Sequence, residues 1–256
     1  EWSRMVEKIR GRKKTVTIGL VGKYVELQDA YKSIDEALFQ AATYNDRRLR
    51  LVSIHSEKVT EANVDELLKD MDGVIVAPGF GQRGIEGKFI ALRWCREHDV
   101  PTFGICLGMQ CMVIEFARNV LGLHEANSTE FNPSTPDNVI DLMEEQKSIT
   151  AKGGTMRLGK YPCVLSPESK AYEYYGEGLI YERHRHRYEV NNDFREEIVA
   201  RGLLPVGMSP DGSLVEMVEN PACKWFVAAQ FHPEFKSRPN KPHPLFNGFV
   251  KAALER

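Results

Sequence analysis

Cys106, in the run Phe103-Gly104-Ile105-Cys106-Leu107-Gly108-Met109-Gln110, is answered far downstream by Phe231-His232-Pro233-Glu234-Phe235. The two runs supply a thiol, an imidazole and a carboxylate. That set suits acyl transfer: His232 takes the thiol proton, Glu234 holds the imidazole in the required tautomer, and the sulfur attacks a carbonyl. Alone, each half has a bland reading, a buried small hydrophobe for the cysteine and a salt-bridged strand end for His-x-Glu. Together they point to a cysteine hydrolase, and the chain order Cys, His, Glu departs from papain- and chymotrypsin-type arrangements.

These groups need particular elements to carry them. Val100 to Ile105 reads as a short buried strand and Leu107 to Asn119 as a helix, so Cys106 falls at their junction. Gly104 and Gly108 leave room for the close strand–helix approach of a nucleophile elbow. A sulfur there faces the unpaired N–H groups of a helix N-terminus, which favour thiolate. Trp225 to Phe231 reads as a second strand delivering His232, and Pro233 ends it.

The rest of the chain supplies the scaffold. Strand-like runs at Val16 to Val21, Leu49 to Ile54, Val74 to Ala77 and Pro101 to Ile105 alternate with helical patterns at Ala30 to Ala42, Asp65 to Lys69, Gly87 to His98 and Leu107 to Val120. This predicts an α/β fold: an open, mainly parallel sheet with helices on both faces and the site at the strands' C-terminal edge. Runs at Gly153 to Leu158, Leu179 to Val190 and Leu214 to Val218 are additional C-terminal strands, extending the sheet or forming a flanking hairpin layer. Residues 1–14 carry Trp2, Met5, Val6 and Ile9 at helical spacing before a basic run, and read as a linker helix; 15–256 read as one domain. Gly22-Lys23 follows an apolar strand like a phosphate-binding loop, but Thr17 stands where the first glycine belongs and Tyr24 where Ser or Thr is required. ATP binding through that loop is not expected.

Composition narrows the class. Lys+Arg 34 against Asp+Glu 36 gives a net charge of -2, which carries no sign of a nucleic-acid or anionic-membrane surface. Five cysteines without a CxxC pair argue for a reducing compartment, and Cys95, Cys111, Cys163 and Cys223 read as buried apolar side chains. A cytoplasmic protein fits best.

Several strings carry a resemblance. Cys106-Leu107-Gly108-Met109-Gln110, Ala126 to Phe131, Gly153 to Gly159, Glu182 to Val190 and Gln230 to Phe235 resemble class I, triad-type glutamine amidotransferases, and in particular the glutaminase domains of CTP synthases. The resemblance implies L-glutamine as substrate, with Cys106, His232 and Glu234 as the triad and no metal. It implies backbone oxyanion donors at Gly79 and Leu107, and substrate contacts at Gln110, Glu130 and Arg187, of which Glu130 suits the α-ammonium by charge. In Ala77-Pro78-Gly79-Phe80-Gly81 the family's usual first glycine is Pro78, which removes an N–H and fixes φ. The resemblance further implies a preceding amidoligase domain, absent from this chain, that uses ATP, Mg2+ and UTP to make CTP. GTP stimulation would involve Arg83 and Glu86, and the full-length protein would be a homo-oligomer, tetrameric in the family. Two alternatives stand beside it: a free-standing glutaminase or γ-glutamyl hydrolase, and a non-catalytic regulatory or assembly module. Strand alternation places Arg183, Arg185 and Arg187 on one face and His184 and His186 on the other. A metal pair at the histidines is disfavoured for want of a second cluster.

Overall fold

The computed structural model describes residues 2–11, 14–27, 29–142 and 156–256. Gly153 to Thr155 and the basic pair Arg12-Lys13 lie outside the described residues. Helix α1 (Trp2–Gly11) leads to a regular alternation of β1 (Thr15–Gly22), α2 (Lys32–Tyr44), β2 (Arg48–His55), α3 (Val64–Leu68), β3 (Gly73–Val76), α4 (Ile85–Glu97), β4 (Thr102–Ile105) and α5 (Leu107–Phe116). The predicted helix after Cys106 continues as a wider turn, Ala117–Leu121, closed by Gly122 at φ 81°. Then come β5 (Ile140–Leu142), β6 (Arg157–Leu165), α6 (Lys170–Tyr175), β7 (Leu179–His186), β8 (Tyr188–Val190), α7 (Arg195–Ala200), β9 (Leu204–Met208), β10 (Val215–Glu219), β11 (Phe226–Ala229) and α8 (Pro244–Ala253).

Nine strands form one mixed sheet in the order β2-β1-β3-β4-β11-β10-β9-β6-β7, and β5 pairs with β8 apart from it. Pairing is parallel from β2 through β11. Beyond β11 it is antiparallel. The C-terminal strands therefore extend the sheet. β11, late in the chain, inserts beside β4 with Ala229 opposite Ile105, which brings the two halves of the sequence pair side by side.

Strand periodicity divides the core between two faces. Phe103 and Ile105 of β4 pack with Phe246 and Phe249 of α8 and with α2 residues. Val76, Ala228 and the apolar residues of α5 pack on the opposite face with Leu92 of α4. Every residue of α5 is buried, so its one acid, Glu115, is held by Arg96 at 2.7 Å. Among the described residues no helix is long and apolar enough to cross a membrane.

The elbow glycines are required by contact distance. A Cβ on Gly104 would lie 2.8 Å from the Gly108 carbonyl oxygen, and one on Gly108 would lie 2.2 Å from the Val76 carbonyl oxygen. Both clashes are with backbone, which cannot swing aside. Gly108→Ala is expected to cost about 2–3 kcal/mol through overpacking, lowering Tm by about 4–12 °C for a chain of this size. Thermal unfolding of the variant beside the parent protein checks this.

Candidate active site

Five parallel strands end at the same edge, and the residues just beyond the ends of four of them build the site. β1 leads into Lys23, β3 into Ala77 to Gly81, β4 into Cys106, and β11 into Gln230, Phe231 and His232. Cys106 adopts φ 52° and ψ -103°, a positive-φ conformation rare for a residue with a Cβ. Its N–H donates to the Ala229 carbonyl at 2.7 Å, and its own carbonyl accepts from Met109 and Gln110 N–H at 3.0 and 3.2 Å. The sulfur is thus fixed at the start of α5, in a residue 3 % exposed. It lies 3.6 Å from Gln230 Nε2 and 3.9 Å from the Arg185 carbonyl oxygen.

His232 is held in place by its backbone. Its N–H donates to the Arg183 carbonyl at 2.8 Å, and the turn Pro233–Lys236 comes immediately after it. Nδ1 meets Glu234 Oε1 at 2.7 Å, which leaves Nε2 for the thiol. Burial disfavours the imidazolium, but hydrogen bonding and charge from Cys106 and Glu234 outweigh it and push His232 up to about 10. The turn carrying His232 and Glu234 is itself anchored: Lys236 Nζ reaches buried Glu182 at 2.8 Å, and His243 Nε2 meets the same carboxylate at 3.2 Å.

The Pro78 loop is clamped from behind. Ala77 N–H donates to Val21 O at 3.0 Å, and the Ala77 carbonyl accepts from Lys88 Nζ at 2.7 Å. Lys23 Nζ donates to the Phe80 carbonyl and, at 3.2 Å, to that of Gly81. The lysine of the phosphate-loop look-alike is thereby a loop clamp. A Cβ on Gly79 would lie 3.5 Å from the Leu107 side chain, so the two expected oxyanion donors are neighbours, and Leu107 N–H belongs to the unpaired first turn of α5.

A cavity of about 60 Å³ brings together Gly79, Cys106, Gln110, Glu130 and Arg187. Glu130 Oε1 accepts from Gly81 N–H at 2.7 Å; burial raises its pKa, opposed by that bond and by the charges of Lys23 and Arg187. Gln110 Nε2 donates to Tyr188 O at 3.1 Å and to Gln230 Oε1 at 3.2 Å. Arg187 departs from the expected alternation. β7 ends at His186, its last pair with β6, and β8 pairs instead with β5; Arg187 sits at this change of partner and lines the cavity, while Arg183 and Arg185 stay exposed. Arg83 and Glu86 lie elsewhere, paired with Glu57 at 2.9 Å and Arg118 at 3.1 Å.

His184 and His186 fall on the buried face together with Glu216, and these three could offer ligands to a metal ion. Their hydrogen bonds favour a different use. His184 Nδ1 and His186 Nε2 stand 2.8 Å apart, the distance of an N–H to N bond between neutral rings, and Arg157 pairs with Glu216 at 2.5 Å. Burial and the Arg157 charge hold His184 down at about 3. Glu189, 3.6 Å from Arg157, is pushed well above the carboxylate range by burial and by Glu216. One guanidinium therefore faces two buried carboxyls, and burial raises Glu216 to about 7 even beside Arg157. Sequence pattern gives no role to Arg157, Glu189, Glu216, Lys88 or Gln230, because each acts through a partner remote in sequence. The other four cysteines are buried and free, as their apolar settings suggest.

A model of the glutamine amidotransferase class-I family matches residues 26–252. A CTP synthase of Porphyromonas gingivalis is 58% identical over 255 residues, covering 100% of this chain and 47% of that protein. One of Bacteroides thetaiotaomicron is 59% identical, covering 99% and 48%. The chain spans about half the length of the curated relatives it matches. Among solved structures, the glutaminase domain of Trypanosoma brucei CTPS with bound acivicin matches with a TM-score of 0.88 and 37% identity, covering 94% of this chain and 95% of that one.

Two outcomes test the electrostatics. In Cys106→Ala, His232 loses one of the groups that raise it, so its pKa should fall from about 10, as read by NMR titration of the imidazole. Glu189 binds its proton in the fold while the unfolded chain has released it above about 4.5, so this group lowers stability as pH rises from 4.5 toward neutrality. Glu189→Gln should flatten that part of the stability–pH curve in urea unfolding, gaining on the parent protein as pH rises.

Proposed function

This chain belongs to the class-I glutamine amidotransferases, within them to the glutaminase domains of CTP synthases, and from that premise we propose the residue roles by which it hydrolyses L-glutamine. The observation that carries the reading is the alignment of Cys106, at a helix N-terminus with φ 52°, with an imidazole whose far nitrogen is 2.7 Å from Glu234. The Cys106 thiolate attacks the side-chain amide carbon, and the carbonyl oxygen becomes an oxyanion received by the N–H groups of Gly79 and Leu107. The C–N bond then breaks as protonated His232 gives its proton to the leaving nitrogen, releasing ammonia and leaving a γ-glutamyl thioester on Cys106. Water, deprotonated by His232, attacks the thioester; the C–S bond breaks, and glutamate and the thiol are restored. Glu234 keeps the imidazole oriented through both halves.

Substrate recognition divides by charge. Glu130 takes the α-ammonium in exchange for its bond to Gly81 N–H, and Arg187, close enough to lower the Glu130 pKa, takes the α-carboxylate. Gln110 closes the side of the cavity next to Tyr188. The ammonia serves a synthetase half on the same polypeptide that aminates ATP-activated UTP to CTP. Lys23 in this chain is committed to the carbonyls of Phe80 and Gly81, so the phosphate-loop look-alike is not where ATP would bind.

Glutamine-dependent ammonia release should fall by about 10⁴-fold or more in Cys106→Ala and His232→Ala, and an electrophilic glutamine analogue should label Cys106 by mass spectrometry. Turnover that survives Cys106→Ala would refute the assignment. Glu130→Gln should raise KM for glutamine about 10- to 100-fold with a smaller change in kcat, the worth of one hydrogen bond to a charged group.

A further inference from the structure

Lys88 of α4 is 0% exposed, a rare state for a lysine without an anionic partner. Among the described residues no carboxylate lies within ion-pair distance of it, and the hydrogen bond it makes is from Nζ to the Ala77 carbonyl at 2.7 Å. Taking an ammonium out of water costs several kcal/mol, so its retention here needs a compensating use. The groups facing it are Cys111 of α5, Cys106 at the elbow and Lys23 behind the loop, with Glu130 facing Lys23 in turn.

The backbone of the loop shows what that use is. Ala77 N–H is tied to β1, Gly81 N–H to Glu130, and the Phe80 and Gly81 carbonyls to Lys23. Pro78 has no N–H and a φ fixed near -65°. Once the Ala77 carbonyl is pinned, the plane of the Ala77–Pro78 peptide is set, and ψ of Pro78 is the one free torsion before the Gly79 N–H. That N–H finds no acceptor among the described residues. We propose that Lys88 is a positioning residue for the oxyanion loop, its ammonium holding the Ala77 carbonyl so that Gly79 N–H stays turned toward the oxygen of a substrate on Cys106. A second effect comes from its charge, which lies in a dry setting on the side of the nucleophile. The proposal rests on the glutamine-hydrolysis reading.

Burial brings Lys88 down to about 8, whereas His232 titrates at about 10. The bond to the Ala77 carbonyl is therefore charge-assisted below about pH 8 and is donated by a weaker neutral amine above it, before His232 loses its proton. The test compares kcat and KM for glutamine between pH 6.5 and 9.5, with the rate of Cys106 labelling by an electrophilic glutamine analogue, in the chain with its natural flanking sequence and in its Lys88→Met variant. A misoriented oxyanion donor should lower kcat by about 10²-fold with KM for glutamine changed less than about threefold, and the parent protein's decline in kcat above about pH 8 should vanish in the variant. Undiminished kcat in a folded Lys88→Met protein, or the same alkaline decline in both, would overturn the proposal and leave the hydrolase reading intact. If Lys88→Met fails to fold, Lys88→Gln takes its place in the same comparison, and undiminished kcat in that folded variant overturns the role of Lys88. Absence of any glutamine-dependent ammonia and of Cys106 labelling in the parent protein would instead overturn the hydrolase reading and this proposal with it.

Discussion

The strand-to-helix turn at Cys106, with φ 52° and ψ -103°, is the constraint on which the other features of the site depend. Such a conformation costs on the order of 1–3 kcal/mol for a residue with a side chain. It persists because both backbone groups of Cys106 are engaged, the N–H by β11 and the carbonyl by the first turn of α5. The helix can begin that close to the strand only because Gly104 and Gly108 carry no side chains against each other and against β3. The same turn that strains the backbone aims the sulfur at the helix N-terminus and at the loop after β3.

A second consequence is the seam in the sheet. β11 is parallel to β4 and antiparallel to β10, so Cys106 and His232 follow adjacent strands running the same way. The antiparallel strands then curl back over the edge. β7 stands at the far end of the sheet order, yet its backbone carbonyls reach the site: Arg183 accepts from His232 N–H, and the Arg185 carbonyl lies 3.9 Å from the sulfur. The paired histidines and the Arg157–Glu216–Glu189 group fill the interior of that curl, linked by the His184–His186 bond and the Arg157–Glu216 pair. Arg187 sits at the break between β7 and β8, close enough to Glu130 to lower its pKa. Buried polar groups in such an arrangement fix geometry more than they add stability.

Much of this is legible in the chain. The elbow glycines, the four N-terminal parallel strands and the strand that delivers His232 all come from short-range pattern, because each depends on neighbours within a few residues. Most of β6 and all of β9 are not legible, since β6 carries Arg157, Lys160 and Tyr161 in place of an apolar run, and β9 is interrupted by Pro205 and Gly207, which weaken a strand signal. Strand alternation groups Arg187 with Arg183 and Arg185, and a change of pairing partner undoes that. Lys23 looks in sequence like part of a failed nucleotide loop; only the approach of the loop after β3 gives it an acceptor.

The residue types and spacings of this chain thus determined by themselves the chemistry, a thiol with a base and an acid, and the parallel half of the fold that presents it. Folding alone decided which side chains stand around that chemistry. Lys88 lies 18 residues from Cys106 in sequence and Arg157 lies 59 from its partner Glu216. The charge states of Lys88 and Glu216 are set by burial and by groups brought from other elements, quantities that exist only once the sheet has closed over them.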